Sequence, residues 1–334
     1  MISSKPLINS KASRRFKRLA LNTVITLYLL IIAGGVVRST GAGMGCPDWP
    51  KCFGRWVPPT ELSELPVNYK EIYGTKLKGE IEFNAVKTWT EYVNRLLGAF
   101  TGLMIFLTLL ASWAYLKSQK RIFYYALAAF LLVGFQGWLG AKVVSFELHP
   151  VIVTLHMLLA IVIVFILIYV YVLSKYTYSE GSEKPQKGVA GVGIFVLSIT
   201  LVQVLIGTQV RENMDEVIRI LGYQARTEWI EQLGARFYVH RSFSLLVLGA
   251  NLYWFYLIRG AGNSRDSVEK YIKGCLVVLG AEILTGIIMA YLGVPPFAQP
   301  LHLTFGILLL GLQFIIYLLV NPNRYLSLQS GVRD

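Results

Sequence analysis

Residues 151–173 read VIVTLHMLLAIVIVFILIYVYVL, a run with no charged residue and one histidine. A helix needs about 20 mostly apolar residues to cross the hydrocarbon core of a bilayer. This run is apolar on every side, whereas a helix of a soluble core carries a polar face at a period of about 3.6 residues. Outward from it in both directions lie seven more runs of the same kind, at roughly 19–37, 92–113, 123–141, 190–209, 237–258, 274–292 and 300–320. Composition agrees. Hydrophobic residues make up 54% of the chain and charged ones 15%, with a mean hydropathy of +0.53, too little charge to cover a soluble domain of 334 residues. The expected fold is an all-α polytopic membrane protein with eight transmembrane helices.

Charge sets the orientation. Residues 1–18, 114–122, 174–189, 259–273 and 321–334 hold 18 Lys and Arg against 5 Asp and Glu. The opposite loops, 38–90, 142–150, 210–236 and 293–299, hold 12 of each sign. The net charge of +13 thus lies on one side, which the positive-inside rule makes cytoplasmic, with both termini there. The basic balance is a topology signal and does not point to nucleic acid. Lys11, Arg14, Arg15, Lys17 and Arg18 precede the first run and suit contact with anionic lipid. No small-residue cleavage site follows that run, which argues against a signal peptide.

The chain repeats itself. Tyr92-Val93-Asn94-Arg95 matches Tyr238-Val239-His240-Arg241, and the same offset of 146 relates Gly140 to Gly286 and Leu155-His156 to Leu301-His302. Val37-Arg38 matches Val210-Arg211 at an offset of 173, because the first outer loop is longer. Polar landmarks that share an offset indicate duplication and not a chance likeness between apolar helices. The expected organisation is two pseudo-symmetric four-helix bundles in a parallel repeat. Residues 1–173 form the first, with the outer loop 38–90; residues 174–189 form a cytoplasmic linker; residues 190–334 form the second.

Four histidines exist: His149, His156, His240 and His302. Ionisable residues inside a membrane are expensive and mark function. His240 and His302 fall at matching depth on two helices of one half. They suit a bis-imidazole haem, or else a pair hydrogen-bonded to neighbouring helices. A zinc site would need three or four ligands. Arg95 and Arg241 follow the candidate ligand positions and either meet haem propionates or reach to the outer interface. The first half has Asn94 where the second has His240, and Glu91 where the second has Phe237. Glu91 either moves protons or holds a polar substrate group, or is a charge at a helix N-terminus. Cys46 and Cys52 on the outer loop allow a disulfide, a redox-active dithiol or two unpaired thiols. Cys275 reads as packing, His149 as interfacial, and Glu282 with its counterpart Gln136 as hydrogen-bonded inside the bundle. Gly41, Gly43 and Gly45 follow no strand, which rejects a nucleotide loop.

Several stretches resemble the haem A synthase family, in its bacterial eight-helix form: GGVVRSTGAGMGCPDWP at 34–50, EYVNRLLG at 91–98, GWLG at 137–140, YVHR at 238–241 and QPLH at 299–302. The resemblance covers nearly the whole chain. It implies oxidation of the C8 methyl of haem O to the formyl group of haem A, for use in terminal oxidase biogenesis, by two successive hydroxylations and loss of water. It implies haem b on His240 and His302 and the substrate haem on His156, with Arg95 and Arg241 as further haem contacts. Glu91 is the implied catalytic carboxylate, and the outer-loop pair Cys46 and Cys52 is a bacterial feature. Where the family has a second-helix histidine this chain has Asn94, so the substrate haem would have one strong axial ligand and an open face beside Asn94 and Glu91. Implied partners are haem O, a haem O synthase, oxidase assembly factors and an unidentified electron acceptor. The location would be the inner (plasma) membrane, with room for a homo-oligomer. Two other functions compete. A membrane b-type cytochrome would show four symmetric ligands and no use for Glu91. A transporter would place its polar residues at the midplane, whereas these lie near the outer side.

Overall fold

The computed structural model describes residues 2–3, 10–74, 82–178, 188–260 and 266–327. Eight helices are long and apolar enough to span a bilayer. They are α1 Ser10–Ser39, α2 Ala85–Ser112, α3 Lys120–Ser145, α4 Pro150–Lys175, α5 Val189–Leu221, α6 Gly234–Gly260, α7 Asp266–Tyr291 and α8 Ala298–Val320. The β-structure among the described residues is a two-residue antiparallel pairing, Ile2–Ser3 with Thr177–Tyr178, and a bridge between Cys52 and Arg55. That pairing begins the expected linker, of which 179–187 lie outside the described residues, as do 328–334 of the tail and 75–81 of the outer loop.

In the first half the helices close a ring: α1 packs on α2, α2 on α3, α3 on α4 and α4 on α1. In the second, α5 packs on α6 and α8, and α8 on α7, while among the described residues α6 and α7 barely meet. Helix α8 also packs on α1 and α4. It is therefore the central helix: 72% of its most apolar window is buried, against 22–33% in the other seven. Leu131, Leu245 and Val277 are exposed, as side chains that face lipid should be, because lipid tails are as apolar as they are. At the seam, a Cβ on Gly35 of α1 would sit 2.8 Å from the Pro300 Cβ of α8, so glycine permits that approach.

Polar ties differ between the halves. Gln313 Nε2 of α8 donates to Thr200 Oγ1 of α5 at 3.1 Å and to Asn251 Oδ1 of α6 at 2.9 Å. The positions equivalent by the 173 and 146 offsets are Leu27, Ile105 and Leu167, all buried. In the first half α1 and α2 are tied instead by Thr23 Oγ1 and Thr108 Oγ1, 2.8 Å apart.

Of the helices that run beyond their expected bounds, two bear on the site. Helix α5 does not stop near 209 but runs to Leu221, so much of the expected outer loop 210–236 is helix. Beyond Gly207, no glycine or proline stands in α5 before Gly222, at φ 75. The extension buries Met214 and Val217 against Trp229, Leu233 and Val294. Helix α2 begins at Ala85, where Asn84 Oδ1 accepts from the Lys87 N–H at 3.1 Å. Glu91 thus lies in the second turn, not at a helix terminus, and is only 4% exposed.

Candidate functional site

In the second half, His240 of α6 and His302 of α8 face each other with ring centroids 6.2 Å apart. Two imidazoles bound to one ion from opposite sides, each about 2.0 Å away through nitrogen and with its ring centre about 1.1 Å farther, would have centroids about 6.2 Å apart. The spacing therefore fits a ligated haem iron. His302 Nδ1 lies 3.1 Å from the Glu282 carbonyl and 3.0 Å from Thr285 Oγ1. Thr285 itself donates to the Ala281 and Glu282 carbonyls. A proton held on Nδ1 by the Glu282 carbonyl leaves the Nε2 lone pair for a metal. The Glu282 carboxylate Oε2 stands 3.4 Å from Nδ1 without forming a hydrogen bond. His240 is braced from α5, where Gln203 Nε2 donates to its backbone carbonyl at 3.0 Å.

The first half repeats the plan with different side chains. His156 of α4 is braced from α3, as Gln136 Nε2 donates to its carbonyl at 2.8 Å. Among the described residues the buried Asn94 Oδ1 and His156 Nδ1 have no hydrogen-bond partner, and neither does His240 Nδ1 in the second half. Buried polar atoms are seldom left unpaired, so these three fit sites for a polar or metal-bearing ligand. Each of the four positions lies against a glycine. A Cβ on Gly207 would be 3.1 Å from His240 Cε1, on Gly286 3.5 Å from His302 Cε1, on Gly140 3.3 Å from His156 Cε1, and on Gly34 3.9 Å from Asn94 Oδ1. Gly34 and Gly207 are related by the 173 offset, Gly140 and Gly286 by 146, so the glycines follow the repeat. Among the described residues no cluster of three or more His, Cys, Asp or Glu could hold a bare metal ion.

Glu91 and Arg95 form a clamp. Glu91 Oε1 accepts from Arg95 Nε at 3.1 Å and Nη2 at 2.5 Å, and Oε2 accepts from the Cys46 N–H at 2.8 Å. Arg95 also donates from Nη1 to the carbonyls of Asp48, at 2.7 Å, and Lys51, at 3.0 Å, and from Nη2 to that of Cys46, at 3.0 Å. The segment so gripped is closed by a disulfide between Cys46 and Cys52, both fully buried. Asp48 completes the loop by accepting from the N–H groups of Phe53 and Gly54 at 2.6 and 2.8 Å. Thr88 Oγ1 donates to the Gly45 carbonyl at 2.9 Å. A Cβ on Gly45 would stand 2.5 Å from the Lys87 carbonyl oxygen, so the loop lies directly on α2.

Among the other candidates, Arg241 is exposed, with its guanidinium 5.1 Å from the Tyr238 ring centroid and 5.9 Å from that of Phe237. His149 is the residue before Pro150 at the start of α4. Cys275 is a free, buried thiol. One group escaped the sequence reading. Arg38 of α1 and Arg211 of α5 both pair with Asp215, at 2.9 and 2.7 Å, and Arg211 Nη2 donates to the Arg38 carbonyl at 3.0 Å. The 173 offset had already paired the two arginines; what it could not supply was the carboxylate between them, on the stretch of α5 taken for loop.

The class of protein is thus set: a multi-pass membrane protein with an interior polar site in each half, one of them lined by facing histidines. Residues 17–314 match the COX15-CtaA family, described as cytochrome oxidase assembly protein, and the chain belongs to that family. Among its relatives, a protein of Halalkalibacterium halodurans named heme A synthase is 24% identical over 308 residues, covering 89% of this chain and 94% of that protein. Another so named, from Shouchella clausii, is 25% identical, covering 69% and 72%. A third, from Shewanella oneidensis, is 32% identical over 137 residues, spanning 41% of this chain and 38% of its own length.

Proposed function

We propose that this chain is a haem A synthase, an oxidoreductase that converts the C8 methyl of haem O to a formyl group by two successive hydroxylations and loss of water. The observation that carries the reading is the unequal pair of sites. The second half has His240 and His302 at a spacing suited to a bis-imidazole haem. The first has His156 with Asn94 in place of a second histidine, beside an outer loop gripped by Glu91 and Arg95. A purely electron-transferring b-type cytochrome would have no use for that inequality. The relatives' printed names agree with the proposal.

Residues 1–173 would form the substrate bundle and 190–334 the haem b bundle. His156 would ligate the haem O iron from α4. Asn94 would present its amide to the opposite face, since an amide oxygen is too weakly basic to compete with imidazole. Glu91 and Arg95 would fix the Cys46–Cys52 loop over the outer end of the site and so exclude bulk water. Glu91 would in addition be the nearest carboxylate able to exchange a proton there. His240 and His302 would hold haem b, whose chemistry when bound is one-electron transfer. The chain would sit in the inner (plasma) membrane, and the distribution of Lys and Arg would put both termini on its cytoplasmic side.

Extraction of the pigments from purified protein tests this. Haem b together with haem O or haem A is the expected result. Haem b alone would leave a cytochrome, and no haem at all would overturn both.

A further inference from the structure

The glycine cradles lead to a second layer of the two sites. Gly207 of α5 lies against His240, and Arg211 is four residues farther along the same helix. Gly34 of α1 lies against Asn94, and Arg38 is four residues farther along that helix. Residues four apart share a helix face and are separated by about 6 Å along the axis. Each arginine therefore stands one turn toward the outer side of its own cradle, on the face turned to the site. Both converge on Asp215, whose counterpart by the 173 offset is the buried Ala42. Two guanidinium groups thus share one carboxylate and keep an excess positive charge. Their side chains remain 31% and 17% exposed, for Arg38 and Arg211 respectively, so the cluster is not sealed. The cations beside the ligand positions do not compete for this role. Arg95 is spent on Glu91 and three loop carbonyls, and Arg241 lies over aromatic rings of its own helix.

A haem presents two acidic groups, its propionate carboxylates, and guanidinium is the side chain whose donors match a carboxylate two at a time. We propose that Arg211 and Arg38 are the carboxylate anchors of the two sites, Arg211 for haem b and Arg38 for the substrate haem, with Asp215 holding both in register across the seam. This rests on the haem reading of the preceding subsection.

The test uses full-length purified protein. The haem b midpoint potential is followed through its low-spin band, haem b release through transfer to apomyoglobin, and haem O affinity through optical titration. Arg211→Gln should lower the potential, because a lost cation favours the ferric state, and should speed haem b release about tenfold, as expected for loss of a charge-assisted hydrogen bond. Arg211→Lys, which keeps the charge but not the fork, should hold the potential near the wild-type value and still release haem faster. Arg38→Gln should disturb both haem b readouts much less than Arg211→Gln and weaken haem O binding about tenfold. Asp215→Asn should retain haem b. An unchanged potential and release rate in Arg211→Gln, or an unchanged release rate in Arg211→Lys, would overturn the proposal. So would Arg38→Gln or Asp215→Asn disturbing haem b as much as Arg211→Gln, since the cluster would then merely tie the halves. Wild-type protein without haem b would instead overturn the reading beneath it.

Discussion

Replacing Glu91 with glutamine removes one charge and almost no volume. In the folded chain that carboxylate is 5% exposed and its partner Arg95 14% exposed, so solvent screens the pair poorly. Breaking a buried ion pair from one side is worth about 3–5 kcal/mol, because the remaining charge stays buried. Arg95 would keep its three loop carbonyls, which places the expected loss at the low end, about 3 kcal/mol. A glutamine that still accepts from Arg95 turns its amide N–H toward the Cys46 N–H, so the donor now served at 2.8 Å would lose its acceptor. The energy would be released locally, as detachment of the Cys46–Cys52 loop from α2. About 3 kcal/mol corresponds to roughly a 100-fold rise in the open fraction. The assay is the rate at which a membrane-impermeant reductant opens the disulfide, read beside the haem A to haem O ratio and the retained haem b. Glu91→Gln should open roughly 100-fold faster, lose haem A formation and keep haem b. The double variant Glu91→Gln with Arg95→Met removes both charges but also the donors to three loop carbonyls, so it should open at least as fast as Glu91→Gln. Wild-type disulfide protection in Glu91→Gln would refute the clamp, and wild-type haem A would remove Glu91 from the reaction.

Replacing His240 or His302 with leucine should each abolish the low-spin haem b spectrum; its survival in both variants would refute the ligand assignment. Alkylation with mass spectrometry should find neither Cys46 nor Cys52 labelled until a reductant is added, and labelling of both without reductant would exclude the bridge. Protein loaded with haem O should bind carbon monoxide, and His156→Ala should abolish that binding. A low-spin substrate haem that ignores carbon monoxide would mean that another residue supplies the sixth ligand. Gly45→Ala places a Cβ 2.5 Å from the Lys87 carbonyl oxygen and should lower stability by about 1–3 kcal/mol through overpacking; an unchanged melting temperature would show that the loop yields freely.

The eight spans were legible because apolar length is a property of the chain itself. Fixed offsets in the chain singled out Asn94, His156, His240 and His302 as a set, and the structure gives each member a glycine neighbour. What escaped was decided by contacts remote in sequence. Nothing local to Arg95 says that its donors go to carbonyls more than forty positions back. The polar stretch after 209 looked like loop because hydropathy reports where the bilayer ends, not where the helix does. Asp215 was hidden within that misreading. The pairing of Cys46 with Cys52 stayed open until the loop was seen folded on α2, because six residues of separation permit a bridge without requiring one.

The central place of α8 has a consequence for the order of events during synthesis. Ribosomes deliver the chain from its N-terminus, and α8 follows the other seven helices. Those seven enter the bilayer with the slot between α1, α4, α5 and α7 still vacant. Until Ala298–Val320 arrives, Gln313 is not there to join Thr200 to Asn251, and His240 faces no partner. Insertion of one helix then completes the contact between the halves and supplies His302 in the same act. The meeting of His240 with His302 is thereby timed to the arrival of α8, and a nascent chain stalled before residue 298 would hold neither a joined pair of bundles nor a finished second site.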